Sequence, residues 1–267
     1  MKNRLLILWM LALQLAGSSI LAQSPRPARA FNSPYTGPYL SRIAFPIGGI
    51  GAGMFCLEGT GAISHLSIHH HPDLFNELPF FAALAIKGQP ASTRVLEGPV
   101  PDWKKFGGKG SGLGDVGKTW GLARFRQATF TAHFPFAKVE LKDPKIPVAV
   151  TLTGWSPFIP TDADNSSLPV GALEYTIKNA GAQTKQYVFS FNTPTLGDLT
   201  QVQPMDKGFI LSQDSATAPD QKGDLAFFTD DPAAIINNCW FRGGWWDPLT
   251  IAWQQIIRFP LRRRRSR

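Results

Sequence analysis

Cysteine is scarce in this sequence, which contains Cys56 and Cys239 and no others among its 267 residues. A small domain held together by disulfides needs more cysteine than this, so that class of scaffold is excluded. The two thiols could pair in an oxidising compartment, but their separation along the chain gives no geometric evidence for a bond. We therefore favour two buried thiols over a disulfide.

The sequence also lacks an apolar run of the ~20 residues that a membrane-spanning helix needs. Its most apolar stretch, residues 5–15, follows Lys2 and Arg4 and precedes a group of small residues. This order is typical of a secretory signal peptide, which we predict over residues 1–22 with cleavage after Ala22 or, as an alternative, after Ala30. No cysteine lies near the cut, so we expect export to the periplasm or the exterior without a lipid anchor.

The body of the chain has no excess of positive charge, although the formal net charge is +8. Ten of the 27 basic residues lie in the first thirty residues or from Arg258 onward. The remaining 17, between Phe31 and Ile257, are matched by 19 acidic residues. Nucleic-acid binding requires a basic surface, so we expect no nucleic-acid partner, and we interpret the terminal arginine block as incidental.

Alternation of apolar and polar residues is the strongest pattern present, and it is clearest in residues 148–192. A period of two indicates strands with one buried face, which is typical of antiparallel sheets. We predict a long ordered loop after the first of these strands and a tight turn at residues 179–181. The alternating apolar sets are Val148, Val150 and Leu152; Leu173, Tyr175 and Ile177; and Tyr187, Phe189 and Phe191.

Further short strands, with turns between them, predict an all-β fold: a two-sheet antiparallel β-sandwich with a short C-terminal helix. We expect a flexible leader over residues 23–37, the sandwich over 38–245, and a helix start with a basic tail over 246–267. The glycine-rich loop at residues 97–121 is long enough to suggest a functional or interface role. The additional strands are predicted within residues 54–58, 62–68, 80–88, 122–135, 136–143, 208–211 and 225–228.

Two glycine-rich motifs resemble nucleotide-binding fingerprints but lack the required context. Residues 112–119 match the phosphate-loop pattern, yet no strand precedes them and a period-two segment, not a helix, follows. Residues 48–53, "GGIGAG", are followed by a hairpin pattern instead of a helix. We interpret the first motif as a mobile loop and the second as glycines that permit tight turning and close sheet packing.

Polar clusters give no strong site either. His65, with residues 69–71, suggests zinc, but adjacent histidines on a strand point to opposite faces and no cysteine or acidic partner lies at ligand spacing. Residues 161–167, "TDADNSS", contain too few ligands for a calcium loop, so we favour capping of a long turn. Asn165 begins a glycosylation sequon. We therefore assign no catalytic, cofactor-binding or metal-binding residue and expect no cofactor.

Tryptophan is abundant, and the C-terminal segment combines it with helical spacing. Asp247 and Pro248 are a suitable N-cap and first helical residue. Because nothing downstream could cover the apolar stripe that follows, we expect this helix face to be bare and the chain to be poorly soluble. Most tryptophans are interpreted as core or interface residues. The tryptophans are Trp103, Trp120, Trp155, Trp240, Trp245, Trp246 and Trp253. The apolar stripe of the helix consists of Leu249, Ala252, Trp253, Ile256 and Ile257.

Four segments together resemble the N-terminal domain of glycoside hydrolase family 116, the family of bile-acid β-glucosidase, or non-lysosomal glucosylceramidase, and of bacterial β-glucosidases. The resemblance extends from Tyr39 to about Ile257, and the segment "GWSPFIP…DNSSLPV" is its most specific part. The segments are "FPIGGIGAGMFCLEGTGAISHLSI", "ARFRQATFTAHFPFAKVELKD", "VTLTGWSPFIPTDADNSSLPVGALEYTIKN" and "CWFRGGWWDPL".

The resemblance implies a retaining β-glycosidase in which this β-sandwich supports an (α/α)6 barrel that carries the nucleophile and the acid/base. No catalytic residue of that barrel matches a position here, and after Ile257 the sequence departs from the family. We therefore expect a non-catalytic, inactive fragment whose partner is the missing catalytic domain, with β-glucosides reaching it only through that domain. Two alternatives stay open: a stand-alone sugar-binding sandwich that uses exposed tryptophans, and a structural module for a separately encoded partner.

Overall fold

The computed structural model describes residues 29–68, 72–73, 76–77, 79–106, 118–195, 200–213, 222–238 and 248–258. The chain divides into two compact units, Met1–Ser33 and Pro34–Arg267. In the described end of the first unit, the Ser33 N–H donates to the Ala30 carbonyl oxygen at 3.2 Å. The second unit contains all the described strands and helices.

The described strands account for most of the regular structure of this unit. In chain order they are β1 (Tyr35–Thr36), β2 (Ala44–Ile47), β3 (Met54–Glu58), β4 (Ile63–Ser67), β5 (Phe81–Ile86), β6 (Gln89–Val95), β7 (Gln127–His133), β8 (Phe136–Lys142), β9 (Val148–Trp155), β10 (Ala172–Asn179), β11 (Tyr187–Asn192), β12 (Thr200–Met205), β13 (Gly208–Gln213) and β14 (Gly223–Phe228). The described α-helices are α1 (Asp102–Phe106), α2 (Ala163–Ser166) and α3 (Pro248–Arg258), with 3-10 turns at Gly37–Leu40 and Thr119–Gly121.

One layer is a five-stranded antiparallel sheet in the order β1-β7-β8-β9-β10. Its alternation follows the sequence: in β9 every second residue is buried, and in β8 Val139 and Leu141 are buried while Lys138 and Lys142 are exposed. Because every second side chain of a strand points to the same face of the sheet, the apolar residues form one row toward the core. The predicted faces of β8, β9 and β10 are confirmed.

The opposing layer consists of two three-stranded sheets, β11-β5-β6 and β2-β3-β4. Side chains of both, including Ile47, Leu57 and Leu84, share one buried cluster with Val139 and Leu152 of the first layer. The all-β sandwich fold is therefore confirmed. A third small sheet, β12-β13-β14, contributes Leu225 and Phe227 to a separate apolar cluster around Ile63, Leu66 and Phe80.

The tight turn predicted at residues 179–181 does not join two paired strands. β10 pairs with β9, whereas β11 pairs with β5 in the other layer, so residues 180–186 cross from one layer to the other. β11 also lacks the predicted alternation, since Phe189 is exposed and its neighbours are half-buried. Alternation within a segment does not specify which strand it pairs with, so the sequence did not predict this crossing between the layers.

The helix predicted to begin at Pro248 is present as α3, but its face is not bare. Ala252 and Trp253 are buried, and Trp253 packs with Phe81, Ala83 and Val95 on the outer face of β5 and β6. All six residues of β5 are buried because the core covers one face and α3 helps to cover the other. The expectation of an uncovered apolar helix is therefore wrong; of its large apolar residues, Ile251 is the exposed one.

Candidate functional site

The glycine motif at residues 48–53 forms a tight loop between β2 and β3. Gly51 and Gly53 have φ values of +72° and +91°, which favour glycine. A Cβ on Gly49 would lie 2.1 Å from the carbonyl oxygen of Leu168, so the loop can approach that backbone closely. The tight-turn and close-packing interpretation of these glycines is supported, and no helix follows them as a dinucleotide site would require.

The family-specific segment, residues 154–170, holds this loop in place. The Gly48 N–H donates to Ser156 Oγ at 3.0 Å, and the Ile50 N–H donates to the Ser166 carbonyl at 2.9 Å. Ser166 is buried. Its hydroxyl accepts a hydrogen bond from the Ile159 N–H and donates one to the Ile159 carbonyl, which closes the turn between these residues. The glycine loop therefore packs against the segment that is the most specific part of the family resemblance.

An open cavity of about 510 Å³ lies between these two segments. It has the volume of a small-molecule site. Its wall is formed by glycine backbone and by apolar and aromatic side chains, and its described lining includes three serines but no charged residue. The lining residues are Pro46, Gly48, Gly49, Ile50, Gly51, Ala52, Gly53, Met54, Ser67, Pro72, Phe134, Ser156, Pro157, Phe158 and Ser166.

A second polar centre is a buried ion cluster at the base of the glycine-rich loop. The Lys104 ammonium, on α1, lies 2.6 Å from Glu58 Oε2 and 2.7 Å from Glu77 Oε1. Arg124 Nη1 lies 2.8 Å from Glu97 Oε2. Buried carboxylates require such partners because an unpaired charge in the interior is costly.

Glu77 and Glu97 line a cavity of about 30 Å³ within this cluster, which brings two carboxylates to one pocket. A cavity of this size has room for water but not for a sugar ring. Burial raises the pKa of Glu97, and the Arg124 guanidinium opposes this effect. Because a sugar ring cannot enter and each carboxylate already has a cationic partner, the cluster is suited to fixing the loop base, not to catalysis.

The phosphate-loop motif ends at this cluster, although residues 107–117 lie outside the described residues. Lys118 Nζ donates to the Glu77 carbonyl oxygen, and the Thr119 carbonyl accepts from Arg124 Nη2. The lysine that would hold phosphate is thus engaged with protein backbone, and a 3-10 turn follows instead of the long helix of a phosphate loop. The rejection of nucleotide binding is consistent with this geometry.

The remaining predicted polar positions are separate from one another. Asp162 Oδ1 accepts from the Asn165 N–H at 3.0 Å and caps α2, so the predicted capping role of residues 161–167 is confirmed. The hydrogen bond that the Asn165 side-chain amide donates to Asp162 Oδ2, together with the one from the Asn165 N–H, lowers the pKa of Asp162. His65 Nδ1 lies 2.7 Å from Ser64 Oγ, whereas residues 69–71 lie outside the described residues. The described part of the chain has no cluster of three or more metal-ligating side chains.

Cys56 is a buried free thiol, as predicted, and burial raises its pKa to about 11. Cys239 lies outside the described residues, as do Trp240, Trp245 and Trp246. Trp103 is half-buried under the Arg42 guanidinium, which lies 4.7 Å from its ring centre. Neither this ring nor the other described tryptophans line the large cavity.

Sequence reasoning missed one element of each centre. β2, which carries Pro46 of the large cavity, was not predicted, and neither was α1, which carries Lys104. Phe134 and Phe158 of the large cavity were not singled out either. They are distant in sequence, and no local pattern indicates that the chain brings their rings 4.9 Å apart.

Together these features define an all-β sandwich domain with a glycine-loop cavity. The sequence model described as beta-glucosidase 2, glycosyl-hydrolase family 116 N-term matches residues 44–239, well over half of the chain. The chain therefore belongs to this family of N-terminal glycoside hydrolase domains. None of the curated proteins matches it. In the described part of the chain, no helix has the length and apolarity needed to cross a bilayer.

Proposed function

We propose that this chain acts as the non-catalytic N-terminal domain of an exported retaining β-glucosidase-like hydrolase and supports its (α/α)6 catalytic domain. The family match over residues 44–239 is the observation that carries this role. The family resemblance implies that both catalytic carboxylates of the parent enzyme belong to its helical domain.

The distribution of carboxylates in the described residues supports a non-catalytic role. A retaining glycosidase needs two carboxyl groups about 5–5.5 Å apart on either side of the scissile bond. The cavity of about 510 Å³ has no carboxylate in its described lining. The carboxylates beside the cavity of about 30 Å³ are held by Lys104 and Arg124 and leave no room for a sugar.

The helical domain would contact α3 and the described part of the loop at residues 97–121. Trp253 contributes to the sandwich itself, so Ile251 and the other exposed side chains of α3 would form the outer part of that contact. The buried ion cluster would keep the loop base in position. Export would depend on the predicted signal peptide at residues 1–22.

Hydrolysis of a chromogenic aryl β-glucoside by the purified chain tests this role. We expect no turnover above the buffer rate, and we expect a separately supplied helical domain of the parent enzyme to raise the unfolding temperature of the chain. Enzyme-like turnover that Glu77→Gln or Glu97→Gln abolishes would contradict a non-catalytic role. Sequencing the N-terminus of the exported protein would test cleavage after Ala22.

A further inference from the structure

The described lining of the large cavity has the electrostatic character of a site for an uncharged ligand. Its described lining contains no Lys, Arg, His, Asp or Glu. A charged ligand would leave its ion unpaired against apolar walls, which costs free energy. The volume of about 510 Å³ nevertheless accommodates a small organic molecule.

Two phenylalanines give the cavity an aromatic wall. The rings of Phe134 and Phe158 meet edge to face, with centres 4.9 Å apart and planes inclined by 67°. Phe45 packs behind Phe134 at 6.5 Å. Phe134 remains 58% exposed, so its ring presents apolar surface that the domain itself does not use. Aromatic surface of this kind packs well against the flat C–H face of another ring.

Hydrogen-bond donors lie beside this aromatic wall. The N–H groups of Gly49, Gly51 and Gly53 have no partner within the described residues, and Gly49 is buried. Ser156 is 7% exposed; its Oγ accepts from Gly48, which leaves its own O–H free to donate. A buried N–H without a partner is uncommon in folded proteins, because the missing hydrogen bond costs free energy.

We propose that this cavity binds the pyranose ring of an uncharged glycoside. The apolar C–H face of the ring packs on Phe134 and Phe158. The hydroxyl and ring oxygens of the sugar accept hydrogen bonds from the glycine N–H groups and from Ser156. This site uses phenylalanines, not the exposed tryptophans first considered, and it does not depend on the presence of a catalytic domain.

Calorimetric titration of the full chain with methyl β-glucoside and with cellobiose tests the site. We expect saturable binding in the millimolar range. Phe158→Ala should weaken it by about tenfold, the factor that corresponds to 1.4 kcal/mol. Phe158→Tyr keeps the aromatic ring and should retain binding. Phe228→Ala is the matched control, because Phe228 is 72% exposed but lies outside the cavity lining.

Circular dichroism of each variant separates loss of binding from loss of folding. No saturable heat with either sugar would overturn the assignment, as would equal affinities of the wild type and Phe158→Ala. A hydrophobic dye that binds in a Phe158-dependent way, without any response to sugar, would also overturn it and would indicate a groove for apolar protein surface. Hydrolysis by the chain would contradict the non-catalytic role but not sugar binding, so the two failures are distinguishable.

Discussion

The ammonium group of Lys104 lies 2.6 Å from Glu58 Oε2, and both side chains are at least nine-tenths buried. Glu58 ends β3, whereas Lys104 lies on α1 inside the glycine-rich loop. This ion pair therefore connects the sandwich to the loop. Since Glu77 Oε1 also lies 2.7 Å from the ammonium, two carboxylates share one lysine.

Replacing Lys104 should destabilise the domain strongly. In Lys104→Met, Glu58 and Glu77 lose their shared cation, and breaking a buried ion pair costs about 3–5 kcal/mol. Urea unfolding measures this loss. The neighbouring Lys105→Met is the matched control, because Lys105 pairs with Asp102 at the surface and such pairs contribute about 0–1 kcal/mol. Equal effects of the two variants would contradict a structural role for the cluster.

Asp143 should make stability fall at acidic pH. Burial alone would raise its pKa, but the Lys145 N–H and the Arg94 guanidinium, 3.0 Å away, outweigh burial and lower the pKa. The stabilisation is therefore complete above the unfolded-state pKa of about 3.9 and is lost as the pH falls through the lower folded-state value.

Asp143→Asn should cost about 2 kcal/mol at neutral pH, the scale of a hydrogen bond to a charged group. Measured by urea unfolding at several pH values, the difference from the wild type should shrink below about pH 4. Asp230→Asn, at an exposed position, should leave the pH profile unchanged. A difference that stays constant down to low pH would show that the charge of Asp143 does not stabilise the fold.

Gly49 should not tolerate a methyl group. The added Cβ of Gly49→Ala would lie 2.1 Å from the Leu168 carbonyl oxygen, so backbone must move, and overpacking of this kind costs about 1–3 kcal/mol. Gly121→Ala is the control, because its Cβ would meet nothing within 4 Å. Thermal unfolding should separate the two variants; indistinguishable unfolding temperatures would mean that the loop can move away from residue 168.

Trp253 should anchor α3 to the sandwich. Trp253→Ala removes a buried indole from Phe81, Ala83 and Val95, and such truncations cost about 3–5 kcal/mol. Ile251→Ala changes the exposed side of the same helix and should remain within about 0.5 kcal/mol of the wild type. If urea unfolding gives similar losses for both, α3 does not depend on its contact with β5 and β6.

Local patterns predicted the elements whose signal is contained in a few adjacent residues. The alternation in β8 and β9, the hairpin of β3 and β4, the capped turn at residues 161–167 and the start of α3 were each recognisable. β5 was predicted as a strand from its apolar run, but not its double burial. The burial of the second face of β5 depends on α3, which begins more than 150 residues later in the chain.

The sequence by itself determined the all-β class, the buried faces of β8, β9 and β10, and the family, because these follow from short-range periodicity and from motifs that are contiguous in the chain. The tertiary structure alone decided that β10 and β11 lie in different layers, that α3 covers the sandwich, and that Phe134 meets Phe158. Pairing and packing depend on which surfaces the folded chain brings together, because the residues of a strand do not specify which strand lies beside it. The candidate cavity belongs to this second group: distant residues form its walls, so it exists only once the layers have packed.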